Sequence, residues 1–322
     1  MEFRLLDEFQ RDFPLCSHPF SKIASTLGTD ELGLLRHLGQ LTAQGKISRI
    51  GPVFAPKRVG ASTLAAMSVA TEQLGQIAQI INRFPEVNHN YEREHRYNLW
   101  FVVTAVSDDH LQETLKAICH ATGHDALSLP MEESFHIDLG FGLSGNSDRV
   151  RYHCLIGSNV SFSTEPLSPQ DRRLLAALQH GLPLQTDPFQ HVAQQTDDTE
   201  SNVLQRVQAW VQSGVIKRFG IIVRHHELGY TANAMVVHDI PDEEVQQFGQ
   251  ALSQDTAVTL CYRRRRSLPE WPYNLFCMIH GQERAVVEQQ IDALRDRCGL
   301  MNYPHAVLFS RDRFKQQGAR YA

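Results

Sequence analysis

The sequence predicts an α+β chain built as a tandem repeat, each unit a winged helix-turn-helix followed by a ferredoxin-like βαββαβ domain. Three observations point there. Sliding the 322-residue chain on itself by 169 positions aligns Leu5-Leu6 with Leu174-Leu175, Pro19-Phe20 with Pro188-Phe189, Glu31 with Glu200, ISRIG at 47–51 with IKRFG at 216–220, and Gly60 with Gly229. At an offset of 176, Tyr97-Asn98-Leu99-Trp100 falls on Tyr273-Asn274-Leu275-Phe276. Matches that keep their order across turns and strand starts mark a duplicated unit. Within each unit, the apolar period then changes midway from helical to strand-like.

The elements follow in order. In the first unit LLDEFQRDFP, PFSKIASTLG and TDELGLLRHLGQLTAQG are three helical stretches with short breaks. KISRIGPVFAP then reads as two short β runs about a Gly-Pro turn, completing a winged helix-turn-helix over 1–60. TLAAMSVAT, LGQIAQIINRF, EVNHNYER, YNLWFVVTAV, HLQETLKAICHA and DALSLPMEESFHI give strand, helix, strand, strand, helix, strand over 61–143. The second unit repeats the plan, with a helix-turn-helix over 170–229 and a ferredoxin-like domain over 230–322. Residues 144–169 read as a linker, in which YHCLI is expected to pack as an extra strand. The two αβ domains are expected to pair sheet to sheet or edge to edge.

Composition narrows the function. A net charge of −5 with 42% hydrophobic residues describes a globular chain without a global basic signature for nucleic acid. MEFRLLDEFQRDF lacks the apolar core of a signal peptide, and no run is long enough to span a bilayer. The six cysteines form no CxxC pair, so free thiols in a cytoplasmic protein are expected. DNA binding is disfavoured: over 28–46, Asp30 and Glu31 cancel Arg36 and Lys46, and residues 197–217 carry a net −1. GFGLSG at 140–145 follows no dinucleotide-binding strand pattern, and Cys119, His120 and His124 read as an ordinary helix end rather than a metal site.

Two cationic approaches to an apolar strand stand out. EREHRYNLWF carries Arg93, His95 and Arg96, with His89 just upstream; its echo RRRRSLPEWPYNLF carries Arg263, Arg264, Arg265 and Arg266. Either alone is explained by a solvated hairpin with salt bridges. Repeated, they suggest a site for polycarboxylates or phosphates, since the planar guanidinium clamps such groups through paired N–H donors. Successive strand residues face opposite sides, so only some of the four arginines can face one ligand.

The helix-turn-helix plus ferredoxin-like unit resembles the leucine-responsive, AsnC-type transcription regulators. More closely, EREHRYNLWF and PMEESFHIDLGF resemble the L-type part of the siroheme decarboxylases of heme d1 biosynthesis. CYRRRRSLPEWPYNLFCMIHG and LFSRDRFKQQGARY resemble the D-type part. The resemblance covers nearly the whole chain and implies a fused, two-part decarboxylase. It implies siroheme, an iron tetrapyrrole with eight carboxylates, as substrate. It implies loss of CO2 from the C12 and C18 acetates to give 12,18-didecarboxysiroheme, with no catalytic cofactor and no protein-held metal. G-like and H-like subunits and a second copy of the chain are the partners it suggests. A tetrapyrrole-responsive regulator is the alternative.

The chemistry needs a proton donor and carboxylate clamps. His95 is the expected donor and Arg96 a clamp, with Tyr97 or His89 assisting and Arg93 beside them. Arg265 and Arg266 are the expected clamps of the second unit, with Arg263 and Arg264 as alternatives. His136 is expected beside the first cleft, and a composite cleft would admit His225, His226 or His305. His95 has no plain twin, because its echo reads SLPEWPYN.

Overall fold

The computed structural model describes residues 2–137, 167–224, 227 and 229–321. YHCLI, GFGLSG, Cys154, His225 and His226 lie outside them. Two compact units emerge, and each gathers like parts from both repeats.

One unit holds the helix-turn-helix elements. From the first repeat come α1 (Glu2–Glu8), α2 (Pro19–Leu27), α3 (Glu31–Ala43), β1 (Ile47–Phe54) and the one-turn α4 (Pro56–Val59). In α3 the Asp30 side chain accepts from the Gly33 N–H and caps the start, while Leu34, Leu38 and Leu41 bury one face. The second-repeat helix Glu200–Gln212 is capped by Thr199 and buries Val203, Val207 and Trp210 at the same spacing. Its only helical basic residue, Arg206, pairs with Asp171 and Asp198 at 2.8 and 3.9 Å.

The expected wing hairpin does not form. Residues 47–54 make one continuous strand that pairs antiparallel with the other repeat's Ile216–Val223, Gly51 opposite Gly220. The glycines serve close approach instead of a turn. A Cβ on Gly51 would stand 3.0 Å from Gly181 Cα, and one on Gly220 would stand 2.2 Å from the Gln10 carbonyl. Pro52, which lacks an N–H, is accommodated because the sheet has only these two strands.

The other unit holds both ferredoxin-like domains. The first runs β2 (Ala61–Met67), α5 (Leu74–Asn82), β3 (Val87–Arg93), β4 (Leu99–Ala105), α6 (Asp108–Thr122) and β5 (Leu127–Ile137). Gly123, at φ 68°, ends α6 by donating to the Cys119 carbonyl, so that segment is a helix end. The second repeat contributes α7 (Pro169–Leu178), α8 (Pro188–Thr196), α9 (Glu200–Gln212) and β6 (Ile216–Val223) to the helix-turn-helix unit. Its ferredoxin-like part is β7 (Ala232–His238), α10 (Val245–Ser253), β8 (Val258–Arg264), β9 (Leu275–Gly281), α11 (Arg284–Arg297) and β10 (His305–Gln316).

The two αβ domains join edge to edge, twice, closing an antiparallel barrel in the order β10-β3-β4-β2-β5-β8-β9-β7. The last strand of each repeat is long enough to serve both. β5 pairs with β2 over 127–130 and with β8 over 131–137. β10 pairs with β7 over 305–309 and with β3 over 310–316. Alternation then sorts the side chains. Leu64, Ala66, Trp100, Leu129, Met235, Val237, Phe276, Met278 and Leu308 fill the space between the sheets. Two separate cores pack each sheet against its own helices. Among the described residues, closure leaves no edge of the barrel open.

Candidate functional site

At one end of the barrel the β3–β4 turn and the β8–β9 loop come together. Each begins and ends on the same fixture. The Arg93 N–H donates to the Asn98 carbonyl and the Arg264 N–H to the Asn274 carbonyl, both at 2.8 Å. The Asn98 amide bonds Val69 N–H and C=O at 3.0 and 2.8 Å; the Asn274 amide bonds Ile240 N–H and C=O at 3.0 and 2.9 Å. The repeats are thus superposed by their hydrogen bonds. Four residues span the first frame and nine the second. The extra length delivers Trp271, which is fully buried.

Trp271 lies against both repeats. Its ring is 5.3 Å from His95, 6.1 Å from Tyr97, and 5.0 Å from both Trp100 and Tyr273. Its indole N–H has no hydrogen-bond partner among the described residues. Arg96 crosses the same boundary, donating to the Glu270 carbonyl at 2.8 Å and lying 5.0 Å from the Tyr97 ring centre. The sequence reading missed Trp271, whose one signal was a large aromatic residue placed next to proline in an otherwise polar insertion.

His95 is half-buried, and its Nδ1 accepts the Tyr97 backbone N–H at 3.0 Å. That bond places the proton of the neutral ring on Nε2. Burial, then the neighbouring Arg96 charge, lowers its pKa below the ordinary histidine value. The resting ring is therefore a neutral Nε2–H donor at neutral pH. In this tautomer Nε2 has no lone pair for iron.

The four arginines have different jobs. Arg264 is buried, donates to the Leu129 carbonyl at 2.7 Å, and lies over the Tyr262 and Phe276 rings at 4.7 and 5.8 Å. Arg93 is its twin: buried, donating to the Leu308 carbonyl at 3.1 Å, 5.8 Å from the Tyr91 ring centre. Each reaches from one repeat to the last strand of the other, and burial lowers the pKa of both. Arg266, an expected clamp, has four of its five N–H donors engaged. It bonds the Pro272 carbonyl at 2.7 Å, Asp242 at 2.6 Å, Asp239 at 2.9 Å and the Ile240 carbonyl at 2.5 Å. It anchors the loop. Arg263 is shared between Asp242 at 2.9 Å and Glu132 at 3.0 Å. Asp242 also accepts from Asn274 at 3.1 Å, and the Arg266 hydrogen bond above all holds its carboxyl below the usual range. Arg265 is 69% exposed, with Glu132 at 3.5 Å.

These arginines, with Glu132, Asp242, Leu268 and Asn274, line a 280 Å³ pocket. That volume takes an acidic side chain rather than a macrocycle. Leu268, 68% exposed at the loop tip, offers an apolar surface beside it.

Other expected site residues are placed elsewhere. His136 pairs with Cys261 while Met131 pairs with Arg264, so His136 lies three β8 residues, about 10 Å, along the sheet from the loop end. His89 pairs with Val102, likewise about 13 Å along β3 from Arg93. His305 is at the loop end, its ring stacked 6.0 Å from buried His238 on the neighbouring strand.

Comparison with known proteins agrees with this architecture. The NirDL-like helix-turn-helix domain of siroheme decarboxylase matches residues 2–47 and 171–217, and the AsnC-like ligand binding domain matches 58–136 and 227–315. The siroheme decarboxylase NirDL subunit of Paracoccus denitrificans (strain Pd 1222) is 40% identical over 322 residues, covering 100% of this chain and 97% of its own. The NirD subunit of Pseudomonas aeruginosa is 48% identical over 143 residues, 44% of this chain and 95% of its own. A crystal structure of siroheme decarboxylase NirDL in co-complex with an iron-uroporphyrin III analogue superposes with a TM-score of 0.70 at 26% identity, covering 99% of this chain and 93% of that one. Fold and site define a fused double AsnC-type ligand-binding protein. The chain belongs to the siroheme decarboxylase NirDL family.

Proposed function

We infer that this chain decarboxylates siroheme, removing CO2 from the C12 and C18 acetates to give 12,18-didecarboxysiroheme for heme d1 biosynthesis. Full-length similarity to a NirDL subunit carries the reading. His95 and Arg96 on one barrel-end turn and Arg265 on the facing loop support it chemically. Siroheme is the substrate, not a catalytic cofactor. Each step breaks one C–C bond: the carboxylate leaves as CO2, its electron pair stays on the methylene carbon, and one proton makes the methyl group.

The residues take the following roles. Arg96 and Arg265 are exposed cations on opposite repeats and bind carboxylates at the ring periphery. Leu268 meets the ring face. Trp271 fixes the position of His95, and Arg266 and Asn274 fix the loop that carries Leu268 and Trp271. Arg263 sits in the pocket between two acids, and Arg93 and Arg264 hold the barrel beneath. Tyr97 positions His95 through its N–H; His89 and His136 take no part at this end.

His95 supplies the proton. Free, it is neutral and donates from Nε2. A bound polyanion raises its pKa, because nearby negative charge favours imidazolium. The imidazolium then protonates the carbon that loses CO2. A fixed guanidinium cannot readily give up a proton, so the arginines bind and stabilise charge. Of the two equivalent turns, 94–97 carries a histidine and 265–273 does not, which supports one reacting position at which substrate is turned between steps. G-like or H-like subunits are compatible partners, and DNA is not expected to be one.

The test is siroheme turnover by His95→Asn with mono- and didecarboxylated products separated. Loss of general acid catalysis should slow both steps by about 10²-fold or more. Unchanged formation of both products would remove His95 from the mechanism.

A further inference from the structure

The superposed hydrogen bonds expose a charge pattern at the two seams of the barrel. Arg93 matches Arg264, so Glu92 matches Arg263 and Glu94 matches Arg265. On the last strands, Ser310 pairs with Arg93 and Met131 with Arg264, so Arg311 matches Glu132. The backbone agrees: Glu94 N–H donates to the Phe309 carbonyl and Arg265 N–H to the Pro130 carbonyl.

At one seam Arg311 of the second repeat faces Glu92 at 3.6 Å and Glu94 at 3.3 Å of the first. At the other, Glu132 of the first repeat faces Arg263 at 3.0 Å and Arg265 at 3.5 Å of the second. One cation between two acids is thus answered by one acid between two cations, at equivalent positions. Every first-repeat member is acidic and every second-repeat member is basic.

We propose that the seams are a recognition surface whose charges select a repeat of the opposite kind and reject a repeat of the same kind. Two first-type repeats closed into a barrel would set Glu132 against Glu92 and Glu94 at both seams. Two second-type repeats would set Arg311 against Arg263 and Arg265. The main-chain ladder does not discriminate, because both repeats offer the same edges and the same buried arginine. Exposed ion pairs contribute little net stability, but like charges in their place are unfavourable, and that difference sets specificity. The problem is present even in a fused chain, since a second copy presents the same edges. It is sharper for the NirD relative, whose chain is about one repeat long.

The test is made in the full chain by thermal unfolding, in an Arg284→Gln background, because Arg284 also holds Glu94 at 2.8 Å. Arg311→Glu places three acids at one seam, imitating a pair of first-type repeats. Glu92→Arg with Glu94→Arg places three cations there, imitating a pair of second-type repeats. Combining all three substitutions inverts the seam and restores complementarity. The two partial variants should each lose about 3 °C or more at low salt. Most of that loss should vanish near 1 M salt, where charges are screened within about 3 Å. The combined variant should recover more than half of the summed loss. A combined loss equal to that sum, or no loss in either partial variant, would overturn the proposal.

Discussion

His95 is held by one hydrogen bond whose direction decides its chemistry. Nδ1 accepts from Tyr97, so the neutral ring carries its proton on Nε2, while burial and then Arg96 lower its pKa below the ordinary histidine value. An acid catalyst of this kind gives a specific pH signature. The kcat/KM profile, which reports free enzyme, should fall as pH rises through a pKa below 6.5. The kcat profile, which reports the complex, should hold to higher pH because the bound carboxylates raise that pKa. Coincident profiles would mean that His95 does not sense the ligand. The placing of His95, Arg96 and Tyr97 on one turn was legible because a short cationic turn ahead of an apolar strand appears twice. The division of labour within Arg263–Arg266 was not. Four identical residues carry no mark of which will meet Asp242 and which will face water; the neighbouring strand and the 240–242 turn decide it.

The β8–β9 loop is the element that makes the end of the barrel asymmetric. It is pinned at its exit by Asn274, whose amide satisfies both backbone groups of buried Ile240 and also reaches Asp242. Asn274→Ala leaves the buried Ile240 N–H unpaired, while its carbonyl keeps Arg266, and should cost about 1–3 kcal/mol in denaturant unfolding, with a weaker KM for siroheme. Trp271 fills the space beneath the loop. Trp271→Ala should cost about 3–5 kcal/mol, while Trp271→Phe, keeping most of the volume, should lose far less stability yet still slow turnover through a displaced His95. Equal turnover in the Phe variant and the parent would show that the indole only packs. The insertion looked like a departure from the repeat because its alignment partner is missing. The wing failed for a related reason: Gly51-Pro52 has turn chemistry, but the competing choice was a strand partner 169 residues away, invisible to local pattern.

Duplication explains both the stability of the whole molecule and its weak point under acid. Each repeat finishes the other's sheet, so the barrel has no free edge. Yet His238 is buried in the helix-facing layer with neither ring nitrogen partnered among the described residues, and burial, then His305 and Arg295, push its pKa down to about 3. Above pH 6.5 the folded and unfolded chains both hold it neutral and it has no pH effect. As pH falls below 6.5 the unfolded chain takes up a proton that the folded chain refuses, so stability declines at up to about 1.4 kcal/mol per pH unit towards pH 3. Urea midpoints at pH 7 and 4.5 should therefore converge in His238→Leu relative to the parent. An unchanged gap would assign acid sensitivity to other groups. The repeat order and the ferredoxin-like periods were readable from sequence, since each is set by local alternation; barrel closure was not, because it depends on two last strands long enough to serve both sheets.

A decarboxylase built on this barrel must change the covalent structure of siroheme. Anaerobic incubation of the full chain with siroheme, followed by mass spectrometry of the extracted tetrapyrrole and measurement of evolved CO2, tests it most directly. Two CO2 units per siroheme should be lost, with a transient species lacking one. A tetrapyrrole recovered bound but unchanged in mass, without CO2, would contradict it.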